Sequence, residues 1–331
     1  MMSPNEERIE CLELAHGGMR AKILNLGAAL FELEVFGSTG PRPVILRNRQ
    51  PRDYWDNPHY LGVVAGRCAN RIRGGRCDIE GRPYQLDRNE RGITHLHGGS
   101  KGFSRRLWSV KWRSETAVEL ELHSLDGDQG YPGNLVASCR YDLLPDCRVR
   151  LSLTAVTDRT TLVNLAGHAY FNLEQGRSIL DHRLQIEAAH YTPVDDDLLP
   201  DGRILAVAGT CFDFRKPVRI GERRHLSPIG YDHNFVVSGA ARDNPLRVAT
   251  LIAPSEDLAM ELWTTEPGLQ FYDGQKLTGG ESDAALAFGP LSGCCLEPQR
   301  FPDSIHHPNF AQSLLRPGER YHQVTEYRFI S

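Results

Sequence analysis

The sequence predicts an all-β protein, a large antiparallel β-sandwich with few short helices. Three observations predict it. Short strand-like runs recur from end to end of the 331 residues. Turn signals separate these runs, and 31 glycines and 20 prolines serve that turn-rich plan. No long segment carries the 3.6-residue period of an amphipathic helix.

The elements follow in chain order. The run at 28–36 alternates, with Leu33 and Val35 set against Glu32 and Glu34. Runs at 107–112 and 117–123 come next, the second alternating Val118, Leu120 and Leu122 with glutamates. The run at 148–156 sets Val149, Leu151 and Leu153 against Arg150, Ser152 and Thr154. Further runs lie at 183–187, 247–252, 258–263 and 321–329. Turns are expected at Glu80-Gly81, Pro132-Gly133, Pro145-Asp146, Pro267-Gly268 and Pro317-Gly318. A short helix is expected around 218–225. With no repeat, no low-complexity linker and no long charge run, residues 1–331 are read as a single domain.

A formal net charge of −4 and the lack of a basic stripe argue against a nucleic-acid partner. No apolar stretch reaches the roughly 20 residues that span a bilayer. The first eight residues lack the basic and apolar regions of a signal peptide. The eight cysteines show no Cys-x-x-Cys spacing and lie mostly in apolar runs, so they are read as reduced core residues. The location expected from this is cytoplasmic.

Alternation then places polar residues. Glu297 follows the apolar run Gly293-Cys294-Cys295-Leu296 and precedes Pro298, which reads as a carboxylate at the end of a buried strand. A charge there costs several kcal/mol unless it is paired or used. In 162–173, Val163, Leu165, Gly167, Ala169, Phe171 and Leu173 face the core, while Asn164, His168, Tyr170 and Asn172 face the other way. Gln270 and Tyr272 share one face, as do His95 and His97. Several strands thus line a polar cleft of the kind that hydroxyl-rich ligands need. One inward carboxylate and one inward imidazole suggest a general base and a general acid. On opposite sides of a cyclic sugar hemiacetal, the first takes the anomeric hydroxyl proton and the second protonates the ring oxygen. This opening and reclosure needs no cofactor and no metal.

Each residue also has a purely structural reading. Glu297 can be a strand-end ion-pair partner, His168 a hydrogen-bonded core histidine and His97 a turn-flanking surface residue. Asp232 can belong to an Asx turn, and Arg71 can be a surface arginine. His95 and His97 could chelate a metal, but no cysteine or carboxylate has supporting spacing. Asp195, Asp196, Asp197 and Asp201 do not fit a calcium loop and read as a solvated turn. The glycine pairs at 74–75, 98–99 and 279–280 match no nucleotide-binding pattern.

Taken together, the motifs resemble those of the aldose 1-epimerases, or galactose mutarotases. The matching stretches run in order through 66–72, 96–99, 102–103, 126–133, 163–164, His168, 170–173, 191–195, 209–215, 231–235 and 267–272. They continue through 296–297, Gln299, 301–304 and 315–319. The resemblance implies a mutarotase-like antiparallel sandwich with an open cleft. It implies that Glu297 is the base, His168 the acid and His97 a second histidine orienting the ring-oxygen side. Arg71 and Asp232 then grip sugar hydroxyls, with Asn70 and Gln270 lining the pocket. The sequence departs from the family pattern at Ala166, Gly167, Ala169, Asp273, Pro298 and Arg300.

The expected function is an isomerase that interconverts the α and β anomers of a free aldohexose of the galactose or glucose type. Its partner is a monosaccharide, and the protein is a monomer or a homodimer. Two alternatives are a hexose-6-phosphate 1-epimerase, which needs extra cations such as Arg71, Arg73, Arg76 and Arg300 at the cleft, and a non-catalytic sugar-binding protein.

Overall fold

A computed structural model describes residues 8–37, 40–174, 176, 178–279 and 288–331. The N-terminal residues 1–7 and Gly280, both read above from sequence, lie outside the described residues.

Long alternating runs build the largest sheet. In Leu135–Leu144, the side chains of Leu135, Ala137, Cys139, Tyr141 and Leu143 are buried, and the residues between them are not. Period-two burial of this kind fixes register, because a one-residue slip would expose the whole apolar set. The strand pairs with Arg148–Thr157 across its full length. Among the described residues, nine strands form this antiparallel sheet. Their order is Ser109–Arg113, Ala117–Ser124, Leu135–Leu144, Arg148–Thr157, Tyr321–Ile330, Ala259–Thr264, Leu246–Ile252, Arg183–Ile186 and Val218–Arg219.

A second sheet of six strands runs Tyr170–Phe171, Cys294–Gln299, Gly268–Tyr272, Asp232–Val236, His190–Thr192 and Leu205–Ala206. A third sheet holds Cys11–His16, Met19–Leu24, Ala29–Gly37 and Gly40–Pro43. Leu151, Leu153 and Tyr327 from the nine-stranded sheet share one core with Phe171, Phe271 and Leu296 from the six-stranded sheet. The Phe171 and Tyr327 ring centroids are 4.9 Å apart. Leu14, Ile23 and Leu33 bring the third sheet into the same core. Each such buried side chain contributes about 1.5–3 kcal/mol.

The opposite face of the six-stranded sheet is polar. Glu297 pairs with Gln270, and Gln270 with Asn234, giving one lateral row across three strands. Asp232, Tyr272, Cys295 and Tyr170 form the neighbouring row on that face.

Four expectations are corrected. Residues 218–225 are not helical throughout: Val218–Arg219 is a strand, and only Arg224–Leu226 forms a 3-10 turn. Among the described residues all helical segments are 3-10. The run at 162–173 is not one strand. Thr161–Leu162, Ala166–Gly167 and Tyr170–Phe171 pair with three different partners, although the predicted alternation survives the breaks. Glu297 does not end its strand, because Pro298 continues it opposite Leu269. The strand on the other side, Tyr170–Phe171, pairs only with Cys294 and Cys295, so the N–H that proline lacks is not missed there. Finally, six of the eight cysteines are buried and all are free, but Cys11 is exposed and Cys147 half-buried.

Candidate active site

The polar face of the six-stranded sheet forms one wall of a cavity of about 160 Å³. Of the seven residues predicted for the site, six line it: Asn70, Arg71, His97, His168, Asp232 and Glu297. Gln270 does not. It lies in the row of Glu297, where its Nε2 donates to Asp232 Oδ1 at 2.7 Å, so it holds Asp232 from below.

Glu297 sits mid-strand and is only 2 % exposed. Its Oε2 has no hydrogen-bond partner among the described residues. Burial pushes its carboxyl well above the usual range, and nearby Asp232 adds to this while Arg71 opposes it. His168 is anchored through its backbone, its N–H donating to Val63 and its carbonyl accepting from Gly62. Its Nε2 lies 3.6 Å from Glu297 Oε2, and its Nδ1 lies 3.5 Å from Cys295 Sγ. Burial pulls the imidazole down to about 4. Burial therefore favours the uncharged form of both groups, carboxylic acid and neutral imidazole. Arg71 near the carboxyl and Asp232 near the imidazole favour the charged forms.

The expectation of groups on opposite sides of a substrate is corrected by the 3.6 Å spacing. The two groups are neighbours.

His97 adopts a left-handed φ of 50°, and Gly98 follows at 88°. A Cβ at Gly98 would meet the Gly66 carbonyl oxygen at 1.7 Å, so only glycine allows this close approach. The turn brings the His97 ring to 5.1 Å from the His168 ring, centroid to centroid. His97 Nδ1 accepts the backbone N–H of Asn70, which places the proton of a neutral His97 on Nε2. Burial, then the neighbouring His168 and Arg71, hold His97 well below the usual histidine range. It is thus a neutral donor.

Arg71 donates to both carboxylate oxygens of Glu90, from Nε at 2.8 Å and from Nη2 at 2.7 Å. Among the described residues, Nη1 makes no hydrogen bond. Burial works against its charge, but Glu90, Asp232 and Glu297 together raise its pKa. Asn70 supports the same turn, its Oδ1 accepting from the Arg71 N–H at 2.8 Å.

The structural readings fail for these residues: Arg71 and His97 are buried, and Asp232 opens a strand rather than a turn. The structural reading holds for His95. Its Nδ1 meets the Asp87 carbonyl and its Nε2 the Tyr131 hydroxyl, both at 2.6 Å, so it cannot chelate beside His97. The aspartates at 195–201 form a turn closed by its own amides and by arginines.

The family model for aldose 1-epimerase matches residues 10–328. The chain is 36 % identical to the aldose 1-epimerase of Escherichia coli (strain K12), covering 100 % of this chain and 98 % of that one. It is 38 % identical to the galactose mutarotase of Bos taurus, covering 97 % and 94 %. The chain belongs to the aldose 1-epimerase family. Among solved structures, galactose 1-epimerase from Lactobacillus acidophilus NCFM matches with a TM-score of 0.85 at 30 % identity, covering 100 % of this chain and 97 % of that one.

None of the six positions read from sequence as departures from the family pattern lines the cavity. Asp273 is buried against Arg224, and Arg300 pairs with buried Glu266. The polar departures are therefore tied into ion pairs beside the pocket. Sequence reading missed Glu90, the partner of Arg71, and Tyr60, whose ring lies 4.6 Å from His97. It also missed Lys276 and His59 at the cavity wall. No local pattern marks any of these four.

Proposed function

We infer that this pocket opens and recloses the ring of a free aldohexose of the galactose or glucose type, interconverting its α and β anomers. Glu297 as carboxylate takes the proton of the anomeric hydroxyl. The C1–O1 bond becomes a carbonyl as the C1–O5 bond breaks, and protonated His168 delivers its proton to O5. Rotation about C1–C2 presents the other carbonyl face, and the same two proton transfers run backwards. No oxidation state changes, so the chemistry asks for no redox group.

The observation that carries this reading is the 3.6 Å separation of His168 Nε2 from Glu297 Oε2, an oxygen with no other partner. The resting and reactive forms of the pair hold the same single proton. They differ by its transfer from carboxyl to imidazole, a step that Arg71 assists at the carboxyl, while Asp232 assists it at the imidazole and opposes it at the carboxyl. The Nε2–H of His97 faces the ring-oxygen side. Arg71 Nη1 and the Asp232 carboxylate take sugar hydroxyls, with Asn70 and Gln270 holding those two in place. The names of the relatives, aldose 1-epimerase and galactose mutarotase, agree with this substrate class.

The whole chain acts as one unit, since the core that joins the three sheets runs from Leu12 to Phe329. All seven proposed residues come from one chain, so the chemistry works in a monomer or a homodimer alike. Eight free cysteines suit a reducing cytoplasm. Among the described residues, no helix is long and apolar enough to cross a membrane.

A phosphorylated sugar is less well served. Of Arg71, Arg73, Arg76 and Arg300, only Arg71 lines the cavity, and Glu90 occupies two of its nitrogens, which leaves Lys276 as the other lysine or arginine of the lining. Polarimetry on freshly dissolved α-D-galactose, α-D-glucose and glucose 6-phosphate tests the reading. Acceleration of the free sugars is expected. Acceleration of the phosphate alone, or of no sugar, would contradict it.

A further inference from the structure

We propose that the floor of this pocket binds one Zn²⁺ ion through His168, Cys295 and Glu297, and that the bound ion excludes the sugar. The exclusion rests on the functional reading above; the metal site does not.

The site is built by strand geometry. Cys295 and Glu297 are two residues apart on one strand, so both project from the same face, and both are buried. His168 arrives from a segment 127 residues earlier and lies against both. One ligand atom from each of the three residues falls within 4.8 Å of the others. The Cys295 Sγ to His168 Nδ1 distance is 3.5 Å, and His168 Nε2 to Glu297 Oε2 is 3.6 Å. Tetrahedral zinc, with ligand bonds of about 2.0–2.3 Å, sets its donors roughly 3.3–3.8 Å apart. The 3.5 and 3.6 Å distances use different imidazole nitrogens and a single ion takes one, so the three donors together lie within 4.8 Å of one another, and side-chain rotation has to close the remaining gap. Two of the three ligands, His168 and Glu297, line the cavity, which gives an ion its entry path.

Charge favours the same ion. Glu297 Oε2 is buried without a hydrogen-bond partner, a costly arrangement for a carboxylate. Zinc with one thiolate and one carboxylate is neutral overall. On binding, the S–H bond of Cys295 and the O–H bond of the Glu297 carboxyl break, the S–Zn and O–Zn bonds form, one His168 nitrogen gives its lone pair to the ion, and two protons leave to solvent; nothing is oxidised or reduced. A sulfur, nitrogen and oxygen set suits zinc and disfavours magnesium or calcium. No spacing motif announces the site, because its ligands are a Cys-x-Glu pair and a distant histidine. Cys294 faces the other way, into the main core, and takes no part.

Occupied, the ion would hold both the proposed base and the proposed acid. It would thus make zinc a reversible inhibitor competitive with sugar.

The test begins with Co²⁺ as a spectroscopic stand-in, titrated into the full-length wild-type protein. One equivalent should produce a near-ultraviolet thiolate-to-cobalt band, abolished in Cys295→Ser and kept in Cys294→Ser. Calorimetry with Zn²⁺ should give one site in the wild type. Cys295→Ser should weaken it by more than the about 10–100-fold typical of losing a mere supporting partner of a ligand. Mutarotation should fall on zinc addition, recover with chelator, and in Cys295→Ser need correspondingly more zinc for the same fractional loss. No cobalt band in the wild type, or a band that survives in Cys295→Ser, would overturn the site. Zinc bound with the band present but mutarotation unaffected would overturn the exclusion. A protein that shows the band but turns over no sugar would contradict the functional reading and leave the metal site standing.

Discussion

Two buried glutamates, one on each large sheet, are treated in opposite ways. Glu326, in Tyr321–Ile330, accepts hydrogen bonds from Arg150 Nε and Nη2 at 2.8 and 2.6 Å and from Arg328 Nε at 2.9 Å. Burial pushes its carboxyl up, but these bonds more than offset that and hold it below the usual range. Glu297, also buried, has an oxygen with no hydrogen-bond partner among the described residues, and Arg71, the cation that lowers its pKa, is turned toward Glu90. Its carboxyl is pushed well up. A buried charge that is paired holds the fold; one left unpaired is a liability to stability and is available for chemistry.

The largest expected effect is on turnover. His168→Gln should lower kcat for α-D-galactose by about 10²–10⁴-fold, the usual worth of a positioned proton donor. Adding Glu297→Gln should cost little more, since the two act as a unit. Additive losses measured by polarimetry would break the pairing.

Next in size is stability. Glu326→Gln should destabilise the fold by about 1–3 kcal/mol at pH 8, read by denaturant unfolding, because two arginines lose a charged partner. Glu297→Gln should leave the fold at least as stable as wild type. The pH dependence separates the two further. The lowered pKa of Glu326 gives stability above the unfolded value near 4.5 that is lost as pH falls through the folded value. The raised pKa of Glu297 does the reverse: its contribution is complete below about 4.5 and is lost as pH rises through the folded value. Glu297→Gln should therefore approach wild type from above as pH falls toward 4, and Glu326→Gln should approach it from below only as pH falls further, below 4. Thermal melts from pH 8 down through pH 4 to the acid limit of folding check the signs.

A smaller effect is expected at Glu90. Glu90→Gln should raise KM several-fold and lower kcat less, since it frees Arg71 to wander without touching the proton pair. A fall in kcat at constant KM would argue that Glu90 acts on the chemistry instead.

Much of this was legible in sequence, for a physical reason. Period-two alternation survives wherever one face of a strand is core, so His168, Gln270 and Tyr272 could be set on polar faces before any fold was known, whereas Glu297 is legible from its place after an apolar run and Asp232 from the family resemblance. Alternation says nothing about depth along the face, and Gln270 was therefore placed in the cavity wall rather than beneath Asp232. It fails where the backbone leaves the extended region. The left-handed turn at His97 separates it from His95, which its partners Asp87 and Tyr131 keep inside. The Arg71–Glu90 pair joins segments 19 residues apart through a turn whose geometry no local spacing encodes. Pro298 misled in the other direction, because a proline ends a strand only when its N–H would have been used.

The most direct test is polarimetric turnover of α-D-galactose by wild type, Glu297→Gln and Glu326→Gln under one set of conditions. The account predicts fast mutarotation by wild type and by Glu326→Gln, with Glu297→Gln slowed by orders of magnitude despite an intact fold. Wild-type turnover by Glu297→Gln, or equal losses in both variants, would contradict the claim that the unpaired carboxylate does the chemistry.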